Sequence, residues 1–168
     1  FALAYLFETR PSSFLADLEF EDGSPAFNDR EVRHMEDVRR LTQAALKLWA
    51  AVCVVAAGAG IWVGSGTNLA ALAAALRAGV RATFALTIGL GLLVALAFPL
   101  FFLGFHRVFF QGDTWLFAYS DTLIRLFPLR FWRDASIGFA VLTLGGLAIL
   151  YLVSGAALRR PHPPSPSR

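Results

Sequence analysis

Three apolar stretches, about residues 41–63, 82–105 and 135–158, constrain this chain more than any other feature. Each matches the roughly 20 apolar residues that a helix needs to cross a bilayer. Lys47 is the one charged side chain inside them, and it lies near enough to an end to reach the interface along its methylene stem. In hydrocarbon every backbone polar group must be bonded within its own segment, so such stretches fold as helices. The expected fold is all-α: a polytopic membrane helix bundle forming a single integral membrane domain over residues 1–168. Composition agrees, with 57% hydrophobic residues against about 45–50% in soluble domains. The net charge of +3 sits beside the apolar runs and no nucleic-acid-binding motif accompanies it, so nucleic acid is not an expected partner.

Between the spans the chain changes character. Phe1–Phe7 is too short to cross a membrane and reads as the end of a preceding span or a short interfacial segment. With Met35 the only methionine, residues upstream of Phe1 are also expected. Glu8–Gly23 mixes acids with Phe14, Leu15, Leu18 and Phe20 and is broken by Pro11, Gly23 and Pro25, which predicts a loop with apolar anchors. Asn28 followed three residues later by Glu31 is a capping box, and it predicts a helix that runs from about Asp29 into the first span. Arg33–Asp37 and Glu36–Arg40 should pair at one-turn spacing along its solvated start. Gly64–Ala78 reads as a turn and a short interfacial helix. Pro99 should kink the second span, and Gly138, Gly145, Gly146 and Gly155 should let the third approach a neighbour closely. The Pro- and Ser-rich tail 161–168 should be disordered, leaving His162 without a role. Cys53 lies within an apolar run and reads as a packing residue.

All 12 acidic residues fall within Glu8–Asp37 or Asp113–Asp134, whereas the opposite face carries Arg77, Arg81, Arg159, Arg160 and Arg168. By the positive-inside rule that basic face is cytoplasmic. Segments 8–40 and 106–134 are then extracytoplasmic loops that form an outer cap, and they bring His34 and His106 to one face.

Chemistry concentrates around those two residues. His106 ends an apolar span and is followed by Arg107, Asp113 and Trp115, and ionisable groups at such a depth point to function. His34 sits on a charged helix, where a solvated or salt-bridged imidazole is the plain alternative. Arg33, Asp37, Arg107, Trp115 and Asp121 are candidates to stabilise an oxyanion or orient a substrate. Glu31-x-x-His34 is half of a di-metal helix pattern, but no second half, HExxH or Cys/His cluster accompanies it, so neither metal nor cofactor is expected. No GxSxG elbow is present, and the fifth residues after His106 and His34 are Gln111 and Arg39, which rules out the His-x4-Asp acyltransferase pattern. One spacing is awkward: His34 precedes Leu41 by seven residues, about 10 Å along a helix, while His106 lies closer to the apolar boundary.

His34-Met35-x-Asp37-Val38, then Phe105-His106-x-x-Phe109-Phe110, Trp115, Asp121 to Ile124, Phe127-Pro128 and Phe131-Trp132 form an ordered set. Over about Asn28–Trp132 it resembles the bacterial lipoprotein intramolecular transacylase family, Lit. The resemblance implies a multi-pass protein of the cytoplasmic membrane with a further N-terminal span and an active site on the outer face. It implies transfer of the sn-2 acyl chain of a diacylglyceryl-cysteine onto that cysteine's α-amino group, giving a lyso-form lipoprotein, with His34 and His106 as the catalytic pair. The partners would be the diacylglyceryl lipoprotein substrate and membrane lipids. A phospholipid acyltransferase or lipase, or a non-catalytic membrane subunit, would also fit residues of this kind.

The charge asymmetry makes a direct prediction. Cysteine placed at Ser12 or Ser120 should react with an impermeant maleimide applied from outside, and cysteine at Thr67 or Ser165 should not; the reverse labelling would invert the orientation.

Overall fold

The computed structural model describes residues 2–8, 10–65 and 69–158. Thr67, Arg159, Arg160, His162, Ser165, Arg168 and the tail 161–168 lie outside the described residues. Within them the chain is all-α: α1 (Ala2–Tyr5), α2 (Ser13–Ala16), α3 (Asp29–Ser65), α4 (Leu69–Phe109), α5 (Thr122–Leu126) and α6 (Leu129–Leu158). The helices α3, α4 and α6 are each long and apolar enough to cross a membrane.

The start of α3 follows from its capping box. Asn28 Oδ1 accepts the backbone N–H groups of Arg30 and Glu31, both at 3.0 Å, and a Glu31 carboxylate oxygen accepts the Asn28 N–H at 2.8 Å. The helix then runs 37 residues, about 55 Å, so it outlasts a hydrocarbon core of about 30 Å and projects beyond it. Glu36 pairs with Arg40 as expected at 2.8 Å, but Asp37 also turns to Arg40, at 3.5 Å, instead of Arg33.

The short interfacial helix expected within 64–78 is not separate. Leu69 onward is the first part of a 41-residue α4, because a run of Ala and Leu has strong helix propensity and Gly79 alone does not stop it. The break comes at Ala97, with φ −140° and ψ 42°, two residues before Pro99. Proline lacks the N–H that would bond the carbonyl four residues back, and its ring crowds that turn. α6 begins at Leu129, ahead of the expected boundary near Ala135, directly after Pro128, whose carbonyl accepts the Phe131 N–H at 2.8 Å.

α4 packs along α6, and α3 meets α4 over a smaller contact. The glycines behave differently from the close-approach expectation: a Cβ on Gly138, Gly145 or Gly146 would meet nothing within 4 Å. The tight places are Gly91, 3.7 Å from Ala140 Cβ, and Gly155, against Arg77. Much of the apolar surface of the long helices faces outward, as at Val54, Ile61 and Trp62 of α3, which suits hydrocarbon surroundings.

The buried core instead lies at the end of the bundle where α3 begins and α4 finishes. Tyr5, Leu15, Phe27, Met35 and Leu123 cluster there, with Phe14, Leu18, Phe117 and Phe127 packed against them. Segments 8–40 and 106–134 therefore join into a cap over that end of the bundle. Their joints differ from the acid–arginine pairs that charge alone suggested. Arg30 donates to the Leu116 carbonyl at 2.9 Å, Arg39 to the Arg10 carbonyl, and Asn28 to Asp121 at 3.1 Å. Two arginines of the second segment pair locally, Arg133 and Arg130 both meeting Asp134.

Glu31 is the central joint. Only 1% exposed, it uses one carboxylate oxygen for Asn28 and gives the other to the Leu123 N–H at 2.7 Å, closing the first turn of α5 from 92 residues away. Charge-assisted bonds of this kind contribute roughly 1.5–3 kcal/mol each, so Glu31→Ala should cost about 3 kcal/mol or more, read as a fall in Tm of the purified protein. An unchanged Tm would show that the cap is held elsewhere.

Candidate active site

His34 lies on the second turn of α3 and His106 on the last turn of α4, so both rings are carried by regular helix. Their ring centroids are 5.9 Å apart with planes inclined by 21°, a stacked pair. The 10 Å offset anticipated along the helix axes has closed in the tertiary structure. Each residue is only 8% exposed.

Aromatic rings enclose the pair. Phe110 lies 5.0 Å from His34 and 5.3 Å from His106, Phe117 stands edge-on to His34 at 5.2 Å, and Phe102 is 4.0 Å from His106. Trp115 covers His106 at 5.1 Å, and its indole Nε1 is buried without a hydrogen-bond partner. The chain reaches that position through a tight turn at Gly112, whose φ of +70° suits a residue without a Cβ.

A hydrogen bond defines the chemistry of His106. Its Nδ1 lies 2.7 Å from the carbonyl oxygen of Phe102, one turn back. A carbonyl can only accept, so Nδ1 carries the hydrogen and Nε2 holds the lone pair. His34 has a buried Nδ1 with no partner, and among the described residues no carboxylate pairs with either imidazole. Two imidazolium ions at this separation among apolar rings would repel strongly, so the pair accommodates one extra proton and not two.

The pair opens onto a cavity of about 640 Å³. Met35, Val38 and Leu41 of α3, Phe98, Phe101 and Phe102 of α4, Leu123 and Ile124 of α5, and Trp132 of α6 contribute to its wall. Among the described residues lining it, His34 and His106 are the only titratable side chains. The site thus offers an apolar chamber of ligand size with a base at its wall.

The other candidates divide. Trp115 lines the cavity beside His106. Arg107 and Arg33 are exposed, and Asp37 is committed to Arg40. Asp121 accepts the Ala118 N–H at 2.8 Å and the Asn28 amide, which makes it a brace for the loop. Glu31 has both oxygens engaged by backbone N–H groups, and among the described residues no three His, Cys, Asp or Glu side chains converge as metal ligands. Sequence reasoning did not single out Phe102, although its place four residues before His106 on a helix is a readable signal. Phe117 and the bond from Leu123 to Glu31 had no such signal.

Fold and site together define a polytopic membrane protein that holds two imidazoles against an apolar chamber. Over residues 5–132 the chain matches the model of the lipoprotein intramolecular transacylase family, Lit, and it belongs to that family. It is 35% identical over 132 residues to a protein of Aquifex aeolicus (strain VF5) described as uncharacterized. That match covers 78% of this chain and 58% of the relative, so the chain spans little more than half of the relative's length. No solved structure matches it. The family match contains both histidines and the cap from Tyr5 to Trp132.

The tautomer is open to direct observation. In protein labelled with 15N-histidine, the His106 signals, assigned by their loss in His106→Asn, should show Nδ1 protonated and Nε2 bare at neutral pH; the opposite tautomer would remove Nε2 as the base.

Proposed function

We propose that this protein moves the sn-2 acyl chain of a lipoprotein's diacylglyceryl-cysteine onto the α-amino group of the same cysteine, using His106 as the base and His34 as its partner. The observation that carries this reading is the stacked imidazole pair as the sole titratable lining, among the described residues, of an apolar chamber. An α-amino group titrates near 7.7–8.0, so only about a tenth is neutral at pH 7 and a base is needed. Nε2 of His106 takes the ammonium proton, and the freed amine attacks the ester carbonyl. The tetrahedral oxyanion is met by a buried donor, for which Trp115 Nε1 is better suited than the exposed Arg107. On collapse the new C–N bond remains, the C–O bond to glycerol breaks, the imidazolium gives its proton to the leaving sn-2 oxygen, and the surplus proton on the attacking nitrogen passes to the freed imidazole. The imidazole then releases that proton to solvent, the one proton lost when an ammonium becomes an amide, and no cofactor takes part.

Apolar walls favour this route over hydrolysis. Acyl donor and amine acceptor belong to one molecule, so positioning supplies much of the catalysis, while the aromatic enclosure of the histidines keeps water from competing as nucleophile. The charge asymmetry supports a site on the outer face, where lipoprotein N-termini and diacylglyceryl groups lie.

The test is mass spectrometry of a reporter lipoprotein's N-terminal peptide, scoring an acyl chain on the α-nitrogen. His106→Asn should slow transfer by about a thousandfold, since Asn cannot accept a proton at neutral pH. His34→Asn should be comparably slow and the double variant little worse, as for groups acting as one unit. Trp115→Phe, which keeps the ring and removes the N–H, should lose about a hundredfold in kcat. His162→Asn should be unaffected and activity should survive chelators. Release of free fatty acid would instead mark a lipase, and normal transfer by His106→Asn would end the acid–base reading.

A further inference from the structure

Far from the histidines, Arg77 of α4 holds an arrangement that acyl transfer does not use. It lies 29 residues before His106 on the same helix, about 40 Å along the axis. Its guanidinium carbon sits 5.1 Å over the ring of Tyr151 on α6. Nη2 occupies the space beside Gly155, where an added Cβ would stand 2.6 Å from it. The Arg77 Nε is buried and has no hydrogen-bond partner, and among the described residues no carboxylate pairs with the side chain. The neighbouring Ser154 hydroxyl donates to the carbonyl of Tyr151 on its own helix at 2.9 Å. Every acidic side chain of the chain belongs to segments at the other end of the helices.

A guanidinium stays charged at any physiological pH, and a half-buried one without a counter-ion is costly. Its planar fork matches the paired oxygens of a phosphate, and the ring beneath it fixes the plane of the fork. Arg81, one turn further on α4, is exposed and adds a second cation on the same helix face. The helix end beside an apolar span is also the depth at which a bilayer presents its phosphates.

We propose that Arg77 anchors a phospholipid site at the end of the bundle opposite the histidines, in which its guanidinium binds the phosphodiester of an anionic lipid, Tyr151 forms the floor, and Gly155 provides the notch that seats the side chain. Arg81 supplies the longer-range attraction that favours a net negative headgroup. The site is independent of the acyl-transfer chemistry and stands or falls without it.

The experiment uses the whole purified protein in neutral detergent, titrated separately with phosphatidylglycerol, phosphatidylcholine and inorganic phosphate, reading Tm and the lipid adducts retained in native mass spectrometry. Phosphatidylglycerol should raise Tm and leave one more retained adduct than phosphatidylcholine does, and inorganic phosphate at matched concentration should do neither. Arg77→Gln should weaken the phosphatidylglycerol response at least tenfold. Gly155→Ala should do the same while keeping every charge, which separates a built seat from net charge and carries the test if Arg77→Gln fails to insert. Equal responses of the wild type and Gly155→Ala would overturn the proposal, and so would inorganic phosphate matching the lipid.

Discussion

Much of this structure depends on one carboxyl group. Glu31 bonds the N–H of Asn28 at the start of α3 and the N–H of Leu123 at the start of α5, so the loop after α4 is drawn across the first turns of α3. Asn28 and Asp121 repeat the same tie a few ångströms away, and Arg30 adds a third through the Leu116 carbonyl. Without these bonds Phe117 and Leu123 would have no reason to lie over His34 and Met35. A buried carboxyl group with both oxygens satisfied by backbone N–H groups is a rigid joint, because leaving either oxygen or either donor unpaired out of water is costly. The enclosure of the imidazole pair is a consequence of that joint.

The division of labour between regions follows from solvent. Within the spans, lipid is as apolar as the side chains, so α3 can leave Val54 and Trp62 facing outward without penalty and packing against neighbours gains little. At the end of the bundle the chain meets water and headgroups, and there burial again drives folding. The core of this protein consequently sits in the cap instead of among its spans, and that is where the site forms. The same reasoning explains the break at Ala97: Pro99 frees a backbone carbonyl in α4, close to the chamber wall to which Phe98 and Pro99 contribute.

Enclosure by rings also sets what the site is good for. An imidazole with its Nδ1 hydrogen held by the Phe102 carbonyl is an oriented base, and a second imidazole stacked on it limits the pair to one added proton. Walls of Phe, Leu and Met hold acyl chains better than they hold water. Such a chamber suits transfer between two groups of the same lipid-bearing molecule, which need only be brought together.

The sequence by itself determined the all-α membrane architecture, the capping box that starts α3, the proline break in α4, and the sharing of one face by His34 and His106. Each of these rests on a local signal: apolar length, a side-chain acceptor at a helix start, a missing N–H, or the sign of charge between spans. It misjudged 64–78 as separate from α4, since a weak breaker such as Gly79 does not outweigh the Ala- and Leu-rich turns around it. It also gave equal weight to Arg33, Asp37, Arg107, Trp115 and Asp121, because composition around a site does not say which side chains point into it. Only the tertiary structure turned Arg33 and Arg107 outward, spent Asp37 on Arg40 and Asp121 on the loop, set Trp115 against His106, and brought the two imidazoles to 5.9 Å. The physical reason is that periodicity and capping act within a few residues, whereas the tilt and register of α3 against α4, and the loop held by Glu31 and Asn28, depend on contacts spanning up to 93 residues of chain.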